Sequence, residues 1–186
     1  MKKIYLVLPF LLLGCREAPE TVIPEIQHNI VPKEISLKDR KVETVTADHR
    51  SAIAIASRYM GFHERRQRRE LREFTGVDPT RVDWCAAFVN AVLAELGIPG
   101  SESVSDAPLT AKSFLRWGTR VGLPRRGDIV VLPRGTEAWQ GHVGFYYGTV
   151  QKNGRTYYQV LAGNQSNAVT IALYPAWKAI SVRRPV

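Results

Sequence analysis

The stretch Trp84-Cys85-Ala86-Ala87-Phe88-Val89-Asn90-Ala91-Val92-Leu93-Ala94-Glu95-Leu96 is the clearest local signal in the chain. Ala86, Phe88, Val89, Val92, Leu93 and Leu96 recur at helical spacing, and Gly97 and Pro99 stop the run. The spacing predicts a helix from Trp84 to Leu96. Asp83 is placed to cap it, so Cys85 falls in its first turn. Backbone N–H groups are unpaired there, and the helix dipole favours an anion. Such a position suits a thiolate nucleophile, and the same N–H groups can hold an oxyanion. A buried small hydrophobe is the plainer reading, since free Cys is among the most buried residue types.

Working outward, Asp48 can cap a helix carrying Ala52, Ile53, Ile55, Ala56 and Tyr59, with Gly61 past its end. Glu64 to Phe74 reads as a second helix, rich in arginine (Arg65, Arg66, Arg68, Arg69, Arg72). Glu64–Arg68, Arg66–Glu70 and Arg69–Glu73 are opposite charges four residues apart. That face is either simply solvated or a patch for an anionic wall polymer or lipid. A short helix is expected from Leu109 to Trp117, ended by Gly118. The period then changes. Gly127 to Leu132 reads as a buried strand. His142–Tyr147, Tyr157–Leu161, Val169–Leu173 and Ile180–Arg183 follow as strands, with a turn at Asn153-Gly154. Helices followed by an antiparallel sheet make an α+β fold.

The whole chain has 186 residues, 45% hydrophobic and 23% charged, a balance that excludes a disordered or collagenous protein. One domain of roughly 100–150 residues fits. No apolar run reaches the ~18–20 residues of a membrane-spanning helix. Two cysteines exclude a disulfide framework and a four-cysteine zinc site. Lys2 and Lys3 precede the short apolar run Ile4–Leu13, the pattern of a signal peptide. It ends in Leu12-Leu13-Gly14-Cys15, which is similar to a bacterial lipobox and implies lipidation of Cys15. Acyl chains there would anchor the protein to a membrane. Arg16 stands where an aspartate would signal inner-membrane retention, so the expected place is the outer membrane, facing the periplasm, if the host is Gram-negative. A plain secretory signal is the alternative. Residues 1–14 are thus read as signal, 15–47 as lipidated Cys and a flexible, proline-punctuated tether, and 48–186 as the folded domain. The formal charge of +9 suits anionic surfaces. No nucleic-acid motif accompanies it, so nucleic acid is not expected as a partner.

With Cys15 lipidated, Cys85 is the one thiol left, outside the cytoplasm and without a disulfide partner. A thiol nucleophile needs a base. His28 falls in the tether, and His49 and His63 sit in polar helical context. His142 opens a strand within Gly141-His142-Val143-Gly144-Phe145 and is the natural base for Cys85. A third group must orient the imidazole. Asn164 or Gln165, in Ala162-Gly163-Asn164-Gln165-Ser166-Asn167, supplies an acceptor, unless that segment is only a turn. A carboxylate would have to come from elsewhere, such as Asp128. Trp84, Trp117 and Trp139 are candidates to line a groove or to pack in the core. Among the histidines and the remaining cysteine there is no credible metal set, and no cofactor is expected.

Four segments come in order: Trp84-Cys85-Ala86-Ala87-Phe88-Val89-Asn90, Pro124 to Val131, Gly141-His142-Val143-Gly144-Phe145-Tyr146, and Ala162-Gly163-Asn164-Gln165-Ser166. Together they resemble the NlpC/P60 and CHAP cysteine peptidases of the papain-like superfamily, over residues 50–183. The resemblance implies N-terminal helices packed on an antiparallel sheet, with Cys85 as nucleophile and His142 as base. A polar third residue follows on the next strand, Asn164 or Gln165. It implies a peptidoglycan substrate, cleaved at a peptide or amide bond through a thioester. Ala162 stands where many CHAP enzymes carry a Glu, and Trp84 where NlpC/P60 members carry an Asp, with Asp83 one place earlier. Asp83 and Trp84 are accordingly assigned to the substrate or oxyanion side. The alternatives are a non-catalytic envelope-binding lipoprotein, and a thioester acyltransferase or amidase on a non-wall substrate.

Overall fold

The computed structural model describes residues 49–186, so the signal peptide, Cys15 and the tether lie outside the described residues. Three α-helices come first: α1 (His49–Ser57), α2 (Arg68–Thr75) and α3 (Cys85–Glu95). Six strands follow: β1 (Thr119–Arg120), β2 (Ile129–Leu132), β3 (His142–Lys152), β4 (Arg155–Gln165), β5 (Ala168–Pro175) and β6 (Ser181–Arg184). They form one antiparallel sheet in the order β1-β6-β2-β3-β4-β5. This is the expected α+β architecture, compatible with a papain-like CHAP fold.

All four residues of β2 are buried, because both faces of the sheet are covered. One face meets α3, which packs on β3 and β4. Ile129, Val131, Val143, Phe145 and Leu161 join Ala86, Phe88, Val89 and Val92 in that core. The other face carries a smaller cluster of Val130, Leu132, Val160, Ala162 and Val182, walled by Tyr146, Tyr158 and Tyr174. Between the helices, Tyr59 stacks on Phe74 with centroids 4.0 Å apart, and both rings meet Phe88 edge-on. Trp84 and Trp117 are buried in this core, so neither lines a groove. The β3–β4 hairpin closes on Asn153 (φ 51°) and Gly154 (φ 69°), the two left-handed residues that a tight hairpin turn requires.

Several expected elements shift. The arginine-rich helix begins at Arg68, not Glu64. The preceding residues are held against the β4–β5 turn instead: His63 bridges to Ala168, and the Glu64 N–H donates to the Asn167 carbonyl at 2.8 Å. Of the three i,i+4 pairs, only Arg69–Glu73 forms, at 4.0 Å, while Arg68 pairs with Asp78. Leu109–Trp117 is a 3-10 segment over Ala111–Leu115, not an α-helix. Its entry is fixed by Asn90, whose amide donates to the Pro108 carbonyl and the Ser101 hydroxyl. The strand β1 had no sequence signal, being two exposed residues long. Asp128 is fully buried and forms a two-pronged pair with Arg184 at 2.8 and 2.7 Å. It flanks the end of β2 opposite Leu132, the residue paired with His142, so it is not a third member for the imidazole.

At Gly163 the sheet lies directly against Trp84 and Phe88 at the start of α3. A Cβ there would lie 2.3 Å from the Trp84 ring and 3.0 Å from Phe88 Cβ. Gly163→Ala is therefore expected to cost about 1–3 kcal/mol in urea unfolding, the usual penalty for overpacking. Unchanged stability would show that the Trp84 contact is slack.

Candidate active site

Cys85 is the first residue of α3 and 3% exposed. Asp83 does not cap the helix. Trp84 occupies the cap position, without a side-chain cap bond, and the Asp83 carboxylate instead accepts from the Asn164 amide at 2.9 Å. The first-turn N–H groups keep their pull on an anion at the sulfur, as the sequence position implied. The Val143 N–H, on the strand that His142 opens, also favours the thiolate at Cys85.

His142 is 1% exposed. Its Nε2 meets Gln165 Oε1 at 3.2 Å, and its Nδ1 is buried with no hydrogen-bond partner. Gln165 settles the tautomer. Its Nε2 donates to the Thr170 carbonyl at 2.6 Å and the Val160 carbonyl at 3.2 Å, so the amide can face only one way. Its Oε1 then accepts from the Tyr174 hydroxyl at 2.9 Å and from His142 Nε2–H. The imidazole carries its proton on Nε2 and presents a bare lone pair at Nδ1. The Tyr174 ring covers it, centroids 5.6 Å apart.

A bulge explains why Gln165, and not Asn164, reaches the histidine. Ala162 pairs with Thr170, but the next pair is Gln165 with Ala168, so β4 carries one extra residue there. Strict alternation from Ala162 would turn Asn164 toward His142 and Gln165 away. The extra residue reverses this. Asn164 takes the left-handed conformation, φ 57°, which Asn tolerates better than most side chains. Its amide goes to Asp83, and its carbonyl accepts from Arg134 Nη2 at 2.8 Å.

Cys85 opens onto a cleft of about 70 Å3 lined by Asp83, Leu109, Thr110, Ala111, Arg134, Trp139, Gln140 and Gly141. Trp139 is 61% exposed at its edge and is the one of the three singled-out tryptophans that lines it. Arg134 went unread in the sequence. It is one arginine in a basic chain, and only its place in the loop that leads to His142 marks it. Burial pushes the Cys85 thiol up, while the Val143 N–H and the Arg134 charge pull it down and the Asp83 charge adds to the rise. Burial and then Arg134 hold the His142 imidazole down to about 4, against the Gln165 hydrogen bond and Asp83. Both groups are neutral at neutral pH. Among the described residues no cluster of His, Cys, Asp and Glu could hold a metal ion.

The CHAP domain family model matches residues 77–164, from just before α3 to one residue short of Gln165. That match is consistent with a CHAP or NlpC/P60-like cysteine peptidase. CHAP domains are typically amidase- or peptidase-type hydrolases, and the match suggests such activity on peptidoglycan in general. No curated protein matches the chain.

The buried imidazole makes stability depend on pH. An unfolded His takes up its proton near pH ~6.5, the folded one only near 4. The unfolded chain binds that proton first as pH falls. Stability from this group is complete above ~pH 6.5 and drains away as pH falls toward 4, by about 3 kcal/mol. Urea unfolding at pH 7 and pH 4 should show His142→Gln losing about 3 kcal/mol less than the wild type between the two. Parallel losses would mean that the histidine is not held neutral.

Proposed function

We propose that the protein hydrolyses a peptide or amide bond of peptidoglycan with Cys85 as nucleophile, His142 as base and Gln165 as the orienting third residue. The carrying observation is the His142 ring, fixed on its Nε2 side by Gln165 and bare at a buried Nδ1. A base needs this arrangement: one nitrogen held, the other free to take a proton. No hydrogen bond joins Nδ1 to the thiol in this state, and such bonds are often long before substrate binds.

The chemistry follows from neutral partners. Cys85 Sγ attacks the carbonyl carbon as its proton passes to His142 Nδ1. The carbonyl oxygen gains the negative charge and is held by the first-turn N–H groups of α3. The tetrahedral centre collapses, the C–N bond breaks, and the imidazolium gives its proton to the leaving amine. A thioester remains. Water, losing a proton to His142, attacks it and releases the acid and the free thiol. Gln165 Oε1 accepts the Nε2 proton throughout, and the dipole it presents favours the transient imidazolium. Tyr174 shares that oxygen and keeps the amide from rotating. Asp83 and Trp84 support the entry side of the nucleophile, through Asn164 and through core packing respectively. The anchoring at Cys15 and an outer-membrane, periplasm-facing position belong to the same proposal. They rest on the Leu12-Leu13-Gly14-Cys15 motif and on Arg16.

The test compares the full chain carrying Cys15→Ser with the same chain also carrying Cys85→Ala, on purified peptidoglycan, with released fragments identified by mass. Cys85-dependent fragments are expected, and their masses name the bond. Intact walls from several chemotypes would overturn the wall substrate. Gln165→Ala should lower kcat about 10–100-fold with KM little changed, the mark of a group acting only on the reacting imidazole. Asn164→Gly, which keeps the left-handed backbone, should stay within a few-fold. The reverse order would hand the third role to Asn164. Labelling of growing cells with a radioactive fatty acid should mark the wild type but not Cys15→Ser, and equal labelling would refute the anchor.

A further inference from the structure

We propose that Arg134 anchors a carboxylate of the substrate beside the scissile bond, making the enzyme selective for amides flanked by a free carboxylate. The inference rests on Cys85 being the nucleophile. Arg134 lies in the loop between β2 and β3 and lines the same cleft as Cys85. It is half-buried. One Nη2 hydrogen bond to the Asn164 carbonyl, 2.8 Å, pins the guanidinium against the bulge. A guanidinium carries five N–H donors in a flat fork, and that carbonyl is its one hydrogen-bond acceptor among the described residues. No carboxylate among the described residues pairs with it, whereas Arg184 is matched to Asp128. The cleft's own acid, Asp83, is engaged by the Asn164 amide.

The result is a cation held on one edge and open on the other, facing a space of about 70 Å3 that also holds the thiol. A planar fork fixed in this way matches a carboxylate, which it can bind through two parallel hydrogen bonds. Arg134 and Cys85 line one cleft, which places a carboxylate held by the fork on the side of the bond that Cys85 attacks. The loop is tied in place. Gln140 Oε1 accepts the Thr136 and Glu137 N–H groups at 2.8 and 3.0 Å, and Lys112 Nζ donates to the Ala138 carbonyl. The fork is thus presented before substrate arrives, which saves ordering cost on binding.

The test uses iodoacetate and iodoacetamide, two reagents of the same shape that differ in carboxylate against carboxamide. Either one forms an Sγ–C bond as the C–I bond breaks, iodide leaves, and the thiol proton passes to His142 and on to solvent. The full chain carrying Cys15→Ser leaves Cys85 as the single thiol. Rates are divided by those of free cysteine. The expected result is about a tenfold preference for iodoacetate, the factor that ~1.4 kcal/mol gives, abolished in Arg134→Gln and reduced to a few-fold in Arg134→Lys. The same variants act on two peptidoglycan samples, one with free peptide carboxylates and one with them capped as methylamides. The unsubstituted arginine form should cleave the capped sample at least tenfold more slowly, and Arg134→Gln should treat both alike.

A reagent ratio equal to that of free cysteine, or a preference that survives in Arg134→Gln, overturns the proposal. So does an equal slowing of both reagents in Arg134→Gln, which would make Arg134 a partner of the thiolate instead. If Arg134→Gln fails to fold, an Arg134→Lys ratio identical to that of the arginine form overturns it. Iodoacetate preference with both wall samples left intact would sustain the anchor and sink the wall substrate. A Cys85 inert to both reagents sinks the nucleophile and this inference with it.

Discussion

One extra residue in β4 governs the geometry of the cleft. Without the bulge before Gln165, the face that meets His142 would carry Asn164, whose shorter side chain could not also span to the Thr170 carbonyl. With it, Gln165 is fastened by its nitrogen to backbone carbonyls of its own hairpin and offers its oxygen to two donors at once. The left-handed Asn164 that the bulge creates is also used. Its amide holds Asp83 at the entrance to α3, and its carbonyl holds Arg134. A local irregularity in one strand therefore ties together the residues around the thiol, which come from the start of a helix, a loop and two strands.

Burial and chemistry pull in opposite directions here. Taking Cys85 and His142 out of water disfavours both charged forms. What offsets this at the thiol is local: the helix start, the Val143 N–H and Arg134. Arg134 acts unevenly, since it favours a thiolate and disfavours an imidazolium. Gln165 answers for the imidazole with an acceptor that carries no charge. A carboxylate in its place would make a stronger ion pair but would also need to be buried, at a cost a neutral amide avoids.

The order of elements, and the positions of Cys85 and His142 within them, were legible because periodicity reports them directly. The helix expected over Trp84–Leu96 stands within a residue at each end, and the strand begins at His142 as expected, though it runs on to Lys152 rather than ending at Tyr147. What escaped was set by tertiary contact. The start of α2 moved because His63 pairs with Ala168, a contact between residues far apart in sequence that no local pattern reports. Asp83 looked like a cap because capping is a local rule, but Asn164 reaches it first. Asn164 and Gln165 could not be told apart because a bulge leaves no mark on hydrophobic alternation. Arg134 lacked any pattern at all, its meaning lying only in what surrounds it.

The position of β6 has a bearing on how such a chain is made. Its four residues come after every other element in sequence, yet the strand sits inside the sheet, between β1 and β2. It also delivers Arg184 to the buried Asp128 carboxylate. Until residues 181–184 have been synthesised, β2 has an open edge and Asp128 has no cation beside it. The sheet is thus completed only by its last strand, and a chain cut short before it would leave both the β2 edge and the Asp128 carboxylate without their partners.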